Sequence, residues 1–125
     1  MTSHPFSGLE PFVQIQVPLG PLTTYRVGGP AQYFAEPPDE ETLASLLRRA
    51  AEARMEVRLL GQGTNLLVGD RGVSGLVVRL PRGGFSGFQH EGRRVVVPAG
   101  QSLPGLVKWA APRGLAGVAC LAGVP

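Results

Sequence analysis

Two glycines separated by one residue, Gly61 and Gly63, stand directly after the apolar run Val57, Arg58, Leu59, Leu60 and just before Thr64 and Asn65. These residue types suit anion binding. A glycine carries no Cβ to keep a phosphate away from the backbone N–H, and a small hydroxyl or amide adds a donor. They also suit a plain β-turn, and for an isolated Gly-x-Gly the turn is the stronger reading. Two standard phosphate motifs are excluded. No Lys-Ser or Lys-Thr follows the glycines, so this is no Walker loop. The third glycine of a dinucleotide fingerprint would fall on Leu66, and Leu66, Leu67, Val68 read as β rather than as the start of a helix.

Other reactive side chains offer less. Asp70 sits in "GDRG", ordinary turn sequence. Ser86 has no Gly-x-Ser-x-Gly elbow, and His90 falls at the tip of an expected hairpin. A single cysteine, Cys120, rules out an internal disulfide and a multi-cysteine metal site, and reads as a small buried filler. His4 and His90 lack neighbouring ligands at metal spacing, so no metal is expected. Trp109 falls off the apolar stripe of its helix, where partial burial is expected.

The elements that must position the loop are legible from pattern. "FVQIQV", residues 12–17, alternates apolar and polar, and residues 31–37 form a short strand stopped by Pro37 and Pro38. Residues 39–54 form the clearest helix. Asp39 is its N-cap, Glu40 and Glu41 suit the positive end of the dipole, and Leu43, Leu46, Leu47 and Ala50 make one apolar stripe. Strands are expected at residues 57–60 and 76–80, then a hairpin over residues 85–100 with "HEGR" at its tip. A second helix runs over residues 102–111, capped by Ser102 and ended by Pro112. The order strand, helix, strand, strand, hairpin, helix gives an α+β or α/β domain. Residues 1–16 are expected to be an N-terminal arm and residues 17–125 one domain.

Composition sets the class. The chain has 125 residues, 43% hydrophobic and 17% charged, which suits one soluble domain with its own core. A net charge of +3 spread over scattered arginines, with only 6% aromatic residues, argues against a nucleic-acid partner. No run approaches the ~20 apolar residues of a membrane span. The N-terminus lacks the basic and apolar pattern of a leader, so a cytoplasmic setting is expected. Nothing fixes an oligomeric state.

Three stretches carry a resemblance: "PLTTYRVGGPAQYFAEP", "LGQGTNLLVGDRGVSGLVV" and "GLAGVACLAGVP", in this order. They closely resemble the flavin-binding domain of the UDP-N-acetylenolpyruvoylglucosamine reductase family, within the wider vanillyl-alcohol-oxidase or PCMH-type FAD-binding fold. The resemblance covers the chain from about Val17 onward. It implies a small parallel sheet with helices plus the start of a second, largely antiparallel subdomain. It further implies that Gly61, Gln62, Gly63, Thr64, Asn65 and Leu66 hold the FAD pyrophosphate, while Tyr25, Arg26 and Val27 lie against the cofactor. Ala99 and Gly100 match a tight pair near the flavin, and Gly123, Val124 and Pro125 match the start of a second cofactor loop. FAD would be noncovalent, since neither histidine lies in the glycine loop, and NADPH would be the hydride donor. The implied reaction, in peptidoglycan synthesis, reduces UDP-N-acetylenolpyruvoylglucosamine to UDP-N-acetylmuramate.

The family's catalytic arginine, serine and glutamate have no counterparts here, so no catalytic residue is assigned. The UDP-sugar would engage an absent domain, and the chain, read as truncated, is expected to be inactive alone. Ala119 and Pro112 depart from the family pattern in minor ways. Alternative readings are another flavin oxidoreductase of the same fold and a noncatalytic nucleotide-binding fragment.

Overall fold

The computed structural model describes residues 4–124. The chain divides into two compact units, Met1–Leu80 and Pro81–Pro125.

The first unit holds strands β1 (Val13–Pro18) and β2 (Pro30–Ala35), helix α1 (Glu40–Glu52), and strands β3 (Val57–Leu60) and β4 (Val73–Arg79). They form one mixed sheet in the order β1-β2-β4-β3. β1 pairs antiparallel with β2, and β4 pairs parallel with both β2 and β3. In β4 the residues Gly75, Leu76, Val77 and Val78 are all buried, as expected of a central strand covered on both faces. A bulge at Ser74 and Gly75 lies opposite Gln32, whose Oε1 accepts the Gly75 N–H at 2.8 Å. The side chain thus replaces the ladder bond that the extra residue removes.

α1 forms where the sequence places it. The Asp39 carboxylate accepts the Thr42 N–H at 2.7 Å, satisfying one of the donors left over in the first turn. The helix ends in a Schellman motif: Arg54 takes a left-handed φ of 52°, and the Met55 N–H reaches the Ala50 carbonyl at 2.8 Å. Leu46 and Ala50 are fully buried against Phe6, Val13, Ala35, Leu76 and Val78 on one side of the sheet. A second cluster, Leu19, Ala31, Phe34, Leu60, Val68 and Val77, packs separately from it.

Three expectations need correction here. The arm expected over residues 1–16 is not separate from the domain in its described part: Phe6 is fully buried in the core beside α1, and Val13 opens β1. Leu66, Leu67 and Val68 are not a strand. The reason lies in the topology. β3 and β4 are parallel neighbours, and a parallel pair needs a crossover of about a dozen residues to carry the chain back to the starting edge. Residues 61–72 are that crossover, without a helix. Of their apolar run only Val68 is buried, in the second cluster, while Leu66 and Leu67 are exposed. β4 accordingly begins at Val73, earlier than the expected residue 76.

The second unit contains the hairpin β5 (Gln89–Glu91) and β6 (Arg94–Val96), antiparallel as expected, and helix α2 (Leu103–Ala110). Ser102 caps α2 by accepting the Gly105 N–H at 2.9 Å. The helix stops before Pro112, which lies in the 3-10 turn Ala111–Arg113. Trp109 is half-buried, with Phe88 at 5.1 Å between ring centroids and the Arg113 guanidinium 4.3 Å from its own. His90 lies within β5, its ring 5.5 Å from that of Trp109. The last segment, Ala116–Gly123, is a 3-10 helix. At three residues per turn, Leu115, Val118 and Leu121 share the half-buried side. Cys120 faces outward and is exposed, which overturns its reading as a buried filler. Among the described residues no helix is long and apolar enough to cross a membrane.

Candidate functional site

In the first unit the expected cofactor residues fall in two loops that lock together. One is residues 19–29, between β1 and β2; the other is the crossover. The Thr24 N–H donates to the Gly63 carbonyl at 3.0 Å, and the Gly29 N–H to the Gly69 carbonyl at 2.9 Å. Thr23, only 4% exposed, steadies the first loop from inside through its Oγ1, which donates to the Gly20 carbonyl at 3.0 Å.

Glycine makes this approach possible. A Cβ on Gly63 would lie 2.2 Å from the Leu22 carbonyl oxygen, and its φ of 72° is left-handed. A Cβ on Gly29 would lie 2.3 Å from the Asp70 oxygen. Gly63 therefore closes one loop on the other, and its missing side chain leaves room for protein backbone rather than for a ligand. Gly61 differs. Its φ is not left-handed, and a Cβ there would meet nothing within 4 Å. Of the two glycines, Gly61 is the one that faces open space.

The crossover backbone has the polarity for an anion. Among the described residues, the backbone N–H groups of residues 61–65, 67 and 68 donate to no other backbone group, and that of Leu66 makes only the turn contact over Thr64 and Asn65. Unpaired N–H groups persist where water or a ligand meets them. No acidic side chain occurs in this stretch. Gly61, Gln62 and Asn65 are exposed and Thr64 is half-buried. Beside the second half of the crossover is a cavity of about 320 Å³. It is lined by Leu66, Leu67 and Val68, by Arg58, Leu59 and Leu60 of β3, and by residues of β4 including Val77. Gly61, Gln62, Gly63, Thr64 and Asn65 do not line it. Backbone donors of the loop beside a cavity of mixed polar and apolar lining suit a ligand with an anionic part and a flat ring. These residues fit a flavin nucleotide.

Tyr25, Arg26 and Val27 lie at the turn of the first loop, all exposed, with Tyr25 at 58% and Val27 at 51%. Arg26 has a φ of 58°. A left-handed backbone costs a residue with a Cβ about 1 kcal/mol or more relative to glycine. The Arg26 N–H donates to the Thr23 carbonyl at 3.3 Å, which closes the turn.

The remaining expected residues belong to the second unit. Gly100, with a φ of 96°, draws residues 98–101 onto residues 81–84: the Gly83 N–H donates to its carbonyl at 3.0 Å, and the Gln101 Nε2 donates to the Gly83 carbonyl. Ala99 is exposed beside it. Gly123 ends the 3-10 segment, exposed and with open space around it, and Val124 follows at 43% exposure. Pro125 lies outside the described residues. Sequence reasoning missed the cavity and the locking role of Gly29. The available signal was the pair Gly28-Gly29 before a strand, which matches the glycines of the crossover across the loop contact.

The family model described as an FAD binding domain matches residues 31–124. A UDP-N-acetylenolpyruvoylglucosamine reductase from Synechococcus sp. (strain WH7803) is 43% identical over 113 residues, 90% of this chain and 36% of that protein. A protein of the same name from Heliobacterium modesticaldum is 41% identical over 110 residues, 88% of this chain and 35% of that protein. The crystal structure of UDP-N-acetylenolpyruvylglucosamine reductase from Thermus caldophilus superposes with a TM-score of 0.64 at 40% identity. It covers 91% of this chain, which covers 39% of it. The chain thus spans about a third of the length of the curated relatives it matches. With the family model matched from β2 to the last described residue, and an interlocked loop pair suited to a nucleotide, the chain belongs to the FAD-binding domain family.

Proposed function

We propose that residues 17–125 are the FAD-binding part of a UDP-N-acetylenolpyruvoylglucosamine reductase. The carrying observation is the first part of the crossover, residues 61–68, most of whose N–H groups are unpaired within the backbone and which adjoins a cavity of mixed polar and apolar lining. In this reading Gly61, Gln62, Thr64, Asn65 and Leu66 hold the pyrophosphate, and Gly63 fixes the loop that presents them. Tyr25, Arg26 and Val27 lie against the cofactor. Ala99, Gly100, Gly123, Val124 and Pro125 are assigned to the same cofactor on the resemblance alone.

The chemistry supplied by FAD held there would be hydride relay from NADPH to the enolpyruvyl double bond of the UDP-sugar, with a proton added at the neighbouring carbon by the whole enzyme. The protein's part is to bind and orient the nucleotide, through backbone donors that need no rearrangement to face an anion. The setting in this reading is the cytoplasm. The UDP-sugar is a small-molecule substrate of the whole enzyme, and for this chain by itself the proposal is binding without turnover.

The test is a titration of the purified chain with FAD, followed by flavin fluorescence and checked by equilibrium dialysis. One saturable site supports the proposal. Absence of saturable binding at any attainable FAD concentration contradicts it.

A further inference from the structure

The sheet of the first unit has two edge strands, β1 and β3, and they are not alike. On β1 the left-handed Gln16, with a φ of 53°, breaks the extended run, and Pro18 offers no N–H. Both features hinder another strand from pairing there. β3 carries neither. The Leu76 N–H donates to the Glu56 carbonyl at 2.9 Å, so the backbone groups of the even-numbered residues face β4 in the parallel ladder. The N–H and carbonyl groups of Val57 and Leu59 therefore point out of the sheet edge. Among the described residues they make no backbone hydrogen bond to a turn or loop.

The side chains along this edge are self-complementary. Glu56 and Arg58 share one face as an exposed ion pair at 2.8 Å. Met55, Val57 and Leu59 share the other. Met55 and Val57 pack against the first core cluster, whereas Leu59 is 72% exposed. When two copies of β3 pair antiparallel about Val57, Glu56 of each copy falls opposite Arg58 of the other, and Leu59 falls opposite Met55. The neighbouring register, centred on Arg58, sets that arginine against itself, and like charges directly opposite are destabilising. Charge thus selects one of the registers that the backbone allows.

We infer that the β3 edge is a docking surface for a second copy of this chain, joined through an antiparallel β3 pair centred on Val57. The inference is independent of the FAD reading. The shared strand is short, so the interface belongs to the small, weak class and forms at high protein concentration.

The test is sedimentation velocity over a concentration series, for the unaltered chain beside Arg58→Glu, Glu56→Arg and Leu59→Pro. The unaltered chain is expected to pass from monomer to dimer as concentration rises, and to do so less readily in high salt. Arg58→Glu sets carboxylates opposite each other and Glu56→Arg sets guanidinium groups opposite each other, so each should associate with itself about tenfold more weakly or worse. Leu59→Pro removes one outward N–H and no bond to β4, and should weaken the dimer likewise. An equimolar mixture of Arg58→Glu and Glu56→Arg restores opposite charges at both positions and is expected to recover a dimer holding one copy of each. Damage to the fold of either variant cannot produce that recovery. An unaltered chain that stays monomeric at every concentration overturns the inference. Variants that self-associate as strongly as the unaltered chain also overturn it, because the contact then lies elsewhere. A mixture no more associated than its two components overturns the proposed register and the inference with it.

Discussion

At the scale of single residues, the two glycines of the Gly-x-Gly divide their work. Gly63 has a left-handed backbone and a carbonyl oxygen 2.2 Å from where its Cβ would be, whereas Gly61 has neither constraint. Gly63→Val is therefore expected to destabilise the first unit by about 3 kcal/mol or more. Gly61→Val should leave stability within about 1 kcal/mol of the parent and still reduce FAD affinity, because the new side chain enters the open side of the loop. Urea unfolding beside a flavin titration separates the two. Equal stability of both variants contradicts the assignment. The sequence shows that the loop contains glycines for a reason, but not which reason applies to which glycine. Gly63 is constrained by Leu22, a residue distant in sequence, and no local pattern reports that contact.

At the scale of elements, local signals are legible where they are strong and fail where they are short. α1 declares itself through its cap, its acidic first turn and its stripe, and β3 through its apolar run. Leu66, Leu67 and Val68 mislead because three apolar residues fit a strand and a packed loop equally well. What settles them is that β3 and β4 are parallel, which is a property of pairing rather than of sequence. The cap of α1 makes a pH prediction. Hydrogen bonds from the Thr42 side chain and then its backbone N–H hold the Asp39 carboxyl below its ordinary value of 3.8. A carboxyl depressed in the folded state adds stability above its unfolded value and loses that contribution as pH falls through its folded value. Asp39→Ala should therefore lower the melting temperature at neutral pH, with the gap closing below about pH 4. Asp39→Asn, a cap without a charge, should show a gap that varies less with pH. Thermal melts across this range check it, and a pH-independent deficit for Asp39→Ala contradicts the cap assignment.

At the scale of the whole molecule, the two units differ in how much core they carry. Fully or nearly buried apolar residues of the first unit include Phe6, Leu46, Leu76 and Val78, whereas those of the second are Leu106 and Ala110 among the described residues. Opening free energy follows buried contacts, so amides of β2 and β4 should exchange with solvent more slowly than those of β5 and β6. Hydrogen exchange read residue by residue tests this, and protection of β5 and β6 equal to that of β2 and β4 contradicts it. The general class, mixed α and β, was legible from element order, whereas the parallel sheet was implied only by the family resemblance. The division into two units was not, since the junction at Leu80 and Pro81 looks like any other turn in the sequence. The central claim is that the crossover loop and the turn of residues 25–27 bind FAD, and amide chemical-shift mapping during an FAD titration tests it most directly. The account predicts saturable shifts concentrated at residues 61–68 and 25–27, with the strands of the sheet little changed. Saturable shifts that leave both loops unmoved, or no saturable shifts at all, would contradict it.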